Sequence, residues 1–230
     1  MKTIGLIGGM SWESTAHYYS GLNEGIKAKL GGLHSAKIAM VSVDFAPIEK
    51  LQHLGDWDAT ADILIDAAKN VEVAGADFVM ICTNTMHEVA PKIEEEISIP
   101  ILHIADATAD AIKDKEFKKV GLLGTAFTMK RAFYKGRLTD KHNIEVITPN
   151  DEERKIVHDV IYQELCLGEI KDISKAVYLK IIERLAKAGA EAVILGCTEI
   201  GMLVNQSDTN VILLDTTAIH AEKAVELATE

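Results

Sequence analysis

AGADFVMICTNT, residues 74–85, returns as AGAEAVILGCTE at residues 188–199, 114 positions further along the chain. Each copy is a small-residue turn, an apolar burst of strand length, and a polar end rich in hydroxyls with a cysteine. Two weaker echoes keep the same order: TIGLIGG at 3–9 against KVGLLGT at 119–125, and LHIADAT at 102–108 against LLDTT at 213–217. Three echoes in one order predict a duplicated αβ half.

The rest of the chain has the same grammar. TIGLIG is followed by a helical stretch from Ser11 to Leu30, KIAMVSVD by a polar connection and then Thr60 to Val73, and DFVMIC by Val89 to Glu96. PILHI, KKVGLLG, IEVIT, EAVILGC and VILLD continue the pattern. Strand-length apolar runs alternating with helical periods predict an α/β fold of parallel sheets flanked by helices. We expect two similar domains related by pseudo-twofold symmetry, residues 1–103 plus 215–230 and residues 104–214, with the active site in the cleft between them. Ligands in such folds sit beyond the carboxyl ends of the strands.

Composition narrows the partner. At 230 residues and 48% hydrophobic the chain can bury one full core or two small ones. A formal charge of −11, with no block of Lys or Arg on one helix face, argues against nucleic acid or an anionic membrane and for a small molecule. An anionic ligand would then be drawn by local N–H and hydroxyl donors rather than by the overall field. Three cysteines, Cys82, Cys166 and Cys197, suggest no disulfide framework and fit a reducing cytoplasm. The short apolar run at the amino terminus falls short of a signal peptide, and no run approaches a membrane span.

The repeat also ranks the chemistry-bearing residues. It sets Thr83 opposite Cys197 and Cys82 opposite Gly196. Successive strand side chains point to opposite faces, so Cys82 and Thr83 cannot both be presented while the strand stays regular. Cys82 is therefore expected in the core and Thr83 at the site. Cys197 ends an apolar strand in Gly-Cys-Thr-Glu, where a turn into a helix offers N–H groups that favour a thiolate. Thr198 and Glu199 accompany it, one as a donor to a carboxylate and the other as an acceptor for an ammonium group or a cap for the next helix.

Further candidates for substrate contact are Asn84 and Thr85, Met10 at the tip of the first glycine turn, Thr125 and Thr128 at the corresponding turn of the second half, and Gln52. His87, four residues past Thr83, either orients a substrate or hydroxyl or satisfies a helix N-terminus. The loop GLIGGMSWEST meets neither phosphate-binding fingerprint, and Ser11 is expected to cap the helix that follows. Cys82, His87, Cys197 and Glu199 are ligand types for zinc, but no ligand spacing supports a metal, and none is expected.

Taken in order, Ile-Gly-Leu-Ile-Gly-Gly-Met at 4–10, Asn84-Thr85-Met86-His87, Leu-Leu-Gly-Thr at 122–125 and Gly196-Cys197-Thr198-Glu199 resemble the aspartate/glutamate racemase family. The glutamate at the end of the last motif looks like the aspartate-type branch. The resemblance implies two α/β domains, commonly in a homodimer, and two cysteines flanking the substrate Cα, with neither pyridoxal phosphate nor metal. Carried over by motif, the second cysteine is Cys197, whereas the place of the first, directly before Asn-Thr, holds Thr83. Cys166 stands where a lysine for the substrate side chain is frequent.

The resemblance thus implies cofactor-independent racemisation of L-aspartate or L-glutamate. Alternatives are a racemase or decarboxylase-type enzyme on another Cα-acidic compound, or a catalytically weak amino-acid-binding protein.

Overall fold

A computed structural model describes all residues, Met1–Glu230. The chain divides into two compact units, residues 1–104 with 220–230 and residues 105–219. Each is built on its own parallel sheet flanked by helices.

The first unit runs β1 (Ile4–Gly8), α1 (Trp12–Leu30), β2 (Ile38–Ser42), α2 (Phe45–Leu54), α3 (Trp57–Val73), β3 (Phe78–Ile81) and, after a 3-10 turn at Thr85–Val89, α4 (Ala90–Glu94). Helix α5 (Ile104–Asp114) begins at its last residue. The second unit continues with β4 (Lys119–Gly124), α6 (Ala126–Lys130), α7 (Ala132–Gly136), β5 (Glu145–Ile147), α8 (Asp151–Gln163), α9 (Asp172–Lys187), β6 (Ala192–Gly196), α10 (Ile200–Leu203) and β7 (Ile212–Asp215). Helix α11 (Thr216–Thr229) carries the chain back into the first unit.

Sheet order is β2-β1-β3 in the first unit and β5-β4-β6-β7 in the second, all parallel. Registers agree with the sequence echoes. Ile7 pairs with Ile81 in one sheet, and their echo positions, Leu123 and Leu195, pair in the other. A chance likeness of two apolar runs would not carry its pairing register along.

Strand parity divides the first core in two. Ile7, Val79 and Ile81 pack with Ala61, Leu64, Ala68 and Val71 of α3. Ile4, Leu6, Phe78, Met80 and Cys82 pack with Tyr18, Leu22 and Ile26 of α1 and with Ala221, Ala224 and Val225 of α11. Burying side chains of this size stabilises by about 1.5–3 kcal/mol each, so both faces of the sheet are firmly covered.

The expected strand PILHI forms only a single bridge, Val79 to Ile101. Two hydrogen bonds, Val79 N–H to Pro100 O and Leu102 N–H to Val79 O, hold it to β3 before α5 starts at Ile104. Pro100 brings no N–H to a ladder, which limits the pairing. The helix expected from Val89 is also shorter and is preceded by the 3-10 turn containing His87. Ser11 caps α1 as expected, its side chain accepting from Ser14 N–H.

Candidate active site

The carboxyl ends of both sheets carry the predicted residues, in two sets. In the first unit, β1 ends in the Gly8-Gly9-Met10-Ser11 turn. Gly9 has φ +95, and its N–H donates to Thr15 Oγ1 at 2.8 Å; that hydroxyl donates on to Ser11 O at 2.8 Å. A side chain at Gly9 would run into the backbone of Val43, so the tight turn requires glycine. Met10 joins the apolar cluster over α3, and Gln52 of α2 donates to Met86 Sδ at 3.5 Å.

At the end of β3, Cys82 and Thr83 part company as parity requires. Cys82 is fully buried, and burial pushes its thiol far above the ordinary cysteine range. Thr83 is half-buried, while Asn84 and Thr85 beside it are buried. The backbone here is pinned closely: Cys82 N–H donates to Ile7 O, Thr83 N–H to Ile81 O, and Ser14 Oγ to Cys82 O at 3.3 Å.

His87 is buried in the turn that follows, with Nδ1 2.9 Å from Thr83 O. His103 and His220 are buried near it, with ring centroids 4.4 and 6.0 Å from that of His87. His220 in turn bonds Leu102 O through Nε2 at 2.7 Å and Tyr18 Oη through Nδ1 at 2.9 Å. No motif announces His103 or His220; they lie far apart in sequence, and their meeting depends on the return of α11.

In the second unit, Thr125 caps α6, its Oγ1 accepting from Thr128 N–H and lying 3.2 Å from Thr128 Oγ1. Both threonines are buried. The strand ends approach closely: a side-chain carbon at Gly124 would sit 2.7 Å from Gly196 O, and one at Gly196 2.7 Å from Leu123 O. A side chain at Gly196 would therefore force the neighbouring strand to shift.

Directly after β6, Cys197 Sγ donates to Glu199 Oε2 at 2.9 Å, and Thr198 Oγ1 donates to the same oxygen at 2.8 Å. All three residues are buried. Burial first, then the Glu199 charge, pushes the Cys197 thiol well above its usual range. This corrects the expectation of a thiolate favoured by helix N–H groups: the Glu199 N–H acts in that direction, but burial and the Glu199 carboxylate outweigh it. Glu199 also makes no side-chain cap to α10. Its carboxylate is used on Cys197 and Thr198.

Sequence reading missed Thr217, just past β7. Its hydroxyl is buried and has no hydrogen-bond partner, a costly state for a polar group. The LLDTT echo was the signal that could have found it. Thr216 beside it is used structurally, donating to Leu195 O at 2.8 Å.

Taken alone, the second set can hold a proton between a thiol and a carboxylate, with hydroxyl donors nearby. The first presents a hydroxyl from a pinned backbone, with amide and hydroxyl donors in Asn84 and Thr85.

Comparisons with known proteins identify the family. The family model described as Asp/Glu/Hydantoin racemase matches residues 7–224. The crystal structure of a Yersinia pestis protein assigned as an Asp/Glu racemase is 54% identical over the whole of both chains, with a TM-score of 0.93. That of PH1733, an aspartate racemase homologue from Pyrococcus horikoshii OT3, is 37% identical over the whole of both chains, with a TM-score of 0.86. The broad specificity amino-acid racemase RacX of Bacillus subtilis (strain 168) is 26% identical over 170 residues, 74% of this chain and 73% of its own length. The chain belongs to the Asp/Glu/Hydantoin racemase family and is an isomerase.

Proposed function

We propose that the protein racemises an acidic amino acid, aspartate or glutamate, by two-base proton transfer at Cα without a cofactor. Cys197 serves one face and Thr83 the other. One observation carries the assignment: at the strand ends paired by the repeat, Cys82 is sealed in the core while Thr83 is half-buried, so the position matching Cys197 is Thr83.

An amino-acid α-proton is a very weak acid, so its removal needs donors aimed at the charge that develops on the substrate carboxylate. Asn84, Thr85, Thr125 and Thr128 supply these, and Thr198, whose hydroxyl donates to Glu199, turns to the substrate once Glu199 is protonated. Met10 and Gln52 wall the side of the first unit, and the partnerless Thr217 hydroxyl is a further contact. Before Cys197 can act as base its thiol proton passes to Glu199, to which it is already hydrogen-bonded. The thiolate then takes the α-proton while the Thr83 hydroxyl protonates the opposite face, and the proton held by Glu199 returns through water to the Thr83 alkoxide, so that in reverse this alkoxide is the base. In the reverse direction the Cys197 thiol is the donor.

Enantiomers are equally stable in free solution, so kcat/KM is the same in both directions, and the asymmetry of a thiol and a hydroxyl falls on kcat and KM separately. A homodimer in a reducing cytoplasm belongs to the same proposal, and light scattering of the purified protein checks the dimer.

The test follows deuterium incorporation at Cα by NMR for a panel of L- and D-amino acids in D2O. Exchange with aspartate or glutamate is expected. Ligand-induced thermal stabilisation without exchange would leave a binding protein instead. Thr83→Ala is expected to lower kcat/KM about a hundredfold in both directions, the usual scale of one acid/base group. Thr83→Cys raises it. Cys82→Ala costs about 1 kcal/mol of stability and leaves exchange within about twofold. The opposite ranking of the two positions would show the register assignment to be wrong.

A further inference from the structure

The buried histidine behind Thr83 has a fixed tautomer. Thr83 O is a carbonyl and can only accept, so the 2.9 Å contact makes His87 Nδ1 the donor. At the opposite ring nitrogen, the backbone N–H of Ile104 donates to Nε2 at 3.2 Å, so Nε2 must carry a lone pair. Both partners are satisfied only by a neutral imidazole protonated at Nδ1. A protonated ring would turn Nε2–H against the Ile104 N–H. Burial and the neighbouring His103 and His220 act in the same direction, holding His87 well below the ordinary histidine range.

The bond falls at a position that matters for direction. Thr83 N–H is tied to Ile81 O and the preceding Cys82 N–H to Ile7 O. The His87 bond to Thr83 O fixes the following peptide plane as well. With both flanking planes held, the Cα–Cβ bond that carries the Thr83 hydroxyl has a fixed direction. His87 has no part in binding substrate in this arrangement; neither ring nitrogen is free.

We infer that His87 is a positioning residue: as the neutral Nδ1–H tautomer it clamps the Thr83 carbonyl and sets the direction in which the Thr83 hydroxyl is presented. The inference rests on the proposed role of Thr83 in racemisation. A hydroxyl is a weaker proton donor than the thiol it replaces, so its placement bears more of the rate, and misplacement by about 1 Å can cost a hundredfold.

Three substitutions separate the clamp from mere filling of the core. Asparagine places an amide N–H where Nδ1 lies, glutamine places its amide near Nε2, and alanine places nothing. His87→Ala is expected to lower kcat at least about tenfold with KM within about twofold. His87→Asn restores most of the loss, and His87→Gln does not. Equal impairment by asparagine and glutamine, or full activity in the alanine variant, would overturn the inference.

A second measurement is independent of turnover and of variant folding. Nitrogen-15 NMR of histidine-labelled wild-type protein is expected to show His87 protonated at Nδ1 and neutral from pH 5 to 8, and an Nε2-protonated or charged ring would overturn the clamp. If the wild type exchanges no amino-acid proton at all, the racemase reading fails on that result, while the NMR spectrum decides the tautomer separately.

Discussion

Cys197→Ser is expected to reduce Cα deuterium exchange at least about a thousandfold while the protein keeps its fold. Serine preserves the donor to Glu199 Oε2, now 2.9 Å from Cys197 Sγ, so the hydrogen-bonded frame with Thr198 stays closed. What is lost is acidity: a hydroxyl gives up its proton to a carboxylate far less readily than a thiol does. Thermal melts should therefore change little, and exchange almost vanish. An equal loss of folding would point to a structural cysteine instead.

The Glu199 partner gives the same site a pH signature. Burial, and after it the Glu199 charge, raises the Cys197 thiol, so the fraction of thiolate, and with it kcat/KM, should climb as pH rises through the alkaline range. Glu199→Gln removes that charge, so the climb is expected to move to lower pH. A pH profile unchanged by Glu199→Gln would separate Glu199 from the chemistry.

Particular residues show why the sequence revealed as much as it did. Strand parity and an internal repeat are local, periodic signals, and they sufficed to place Cys82 in the core and to match Ile7–Ile81 with Leu123–Leu195. The parallel sheets were legible for the same reason. By contrast, whether Cys197 is a thiol or a thiolate depends on where the Glu199 side chain turns, and spacing alone left that carboxylate free to cap a helix or bind an ammonium group. The PILHI segment forms only one bridge because Pro100 brings no N–H to the ladder and α5 begins already at Ile104. His87, His103 and His220 carry no shared spacing at all. His220 joins the other two only because α11 returns to the first unit.

That cluster should make the protein sensitive to mild acid. His220 is buried with both nitrogens used: Leu102 O accepts from Nε2–H, and Nδ1 accepts from the Tyr18 hydroxyl. Burial lowers its pKa from 6.5 to about 4. Between these values the unfolded chain binds a proton that the folded chain refuses, so stability rises with pH across the window. The contribution is complete above about 6.5 and is lost as pH falls toward about 4, amounting to ~3 kcal/mol for this one residue. His87, lowered in the same direction, adds to the loss.

Carboxylates act in a different range. Asp106 works against its own burial, but hydrogen bonds from Arg137, Lys141 and His142 outweigh it and hold the group below its usual 3.8, so its contribution disappears only in stronger acid. Urea denaturation at pH 7 and at pH 4.5 should thus show a drop dominated by the histidines. His220→Gln keeps a donor near Leu102 O but takes up no proton. It is expected to lower stability at pH 7 modestly and to remove most of the His220 share of the drop. An unchanged pH slope in that variant would mean that the proton is taken up elsewhere.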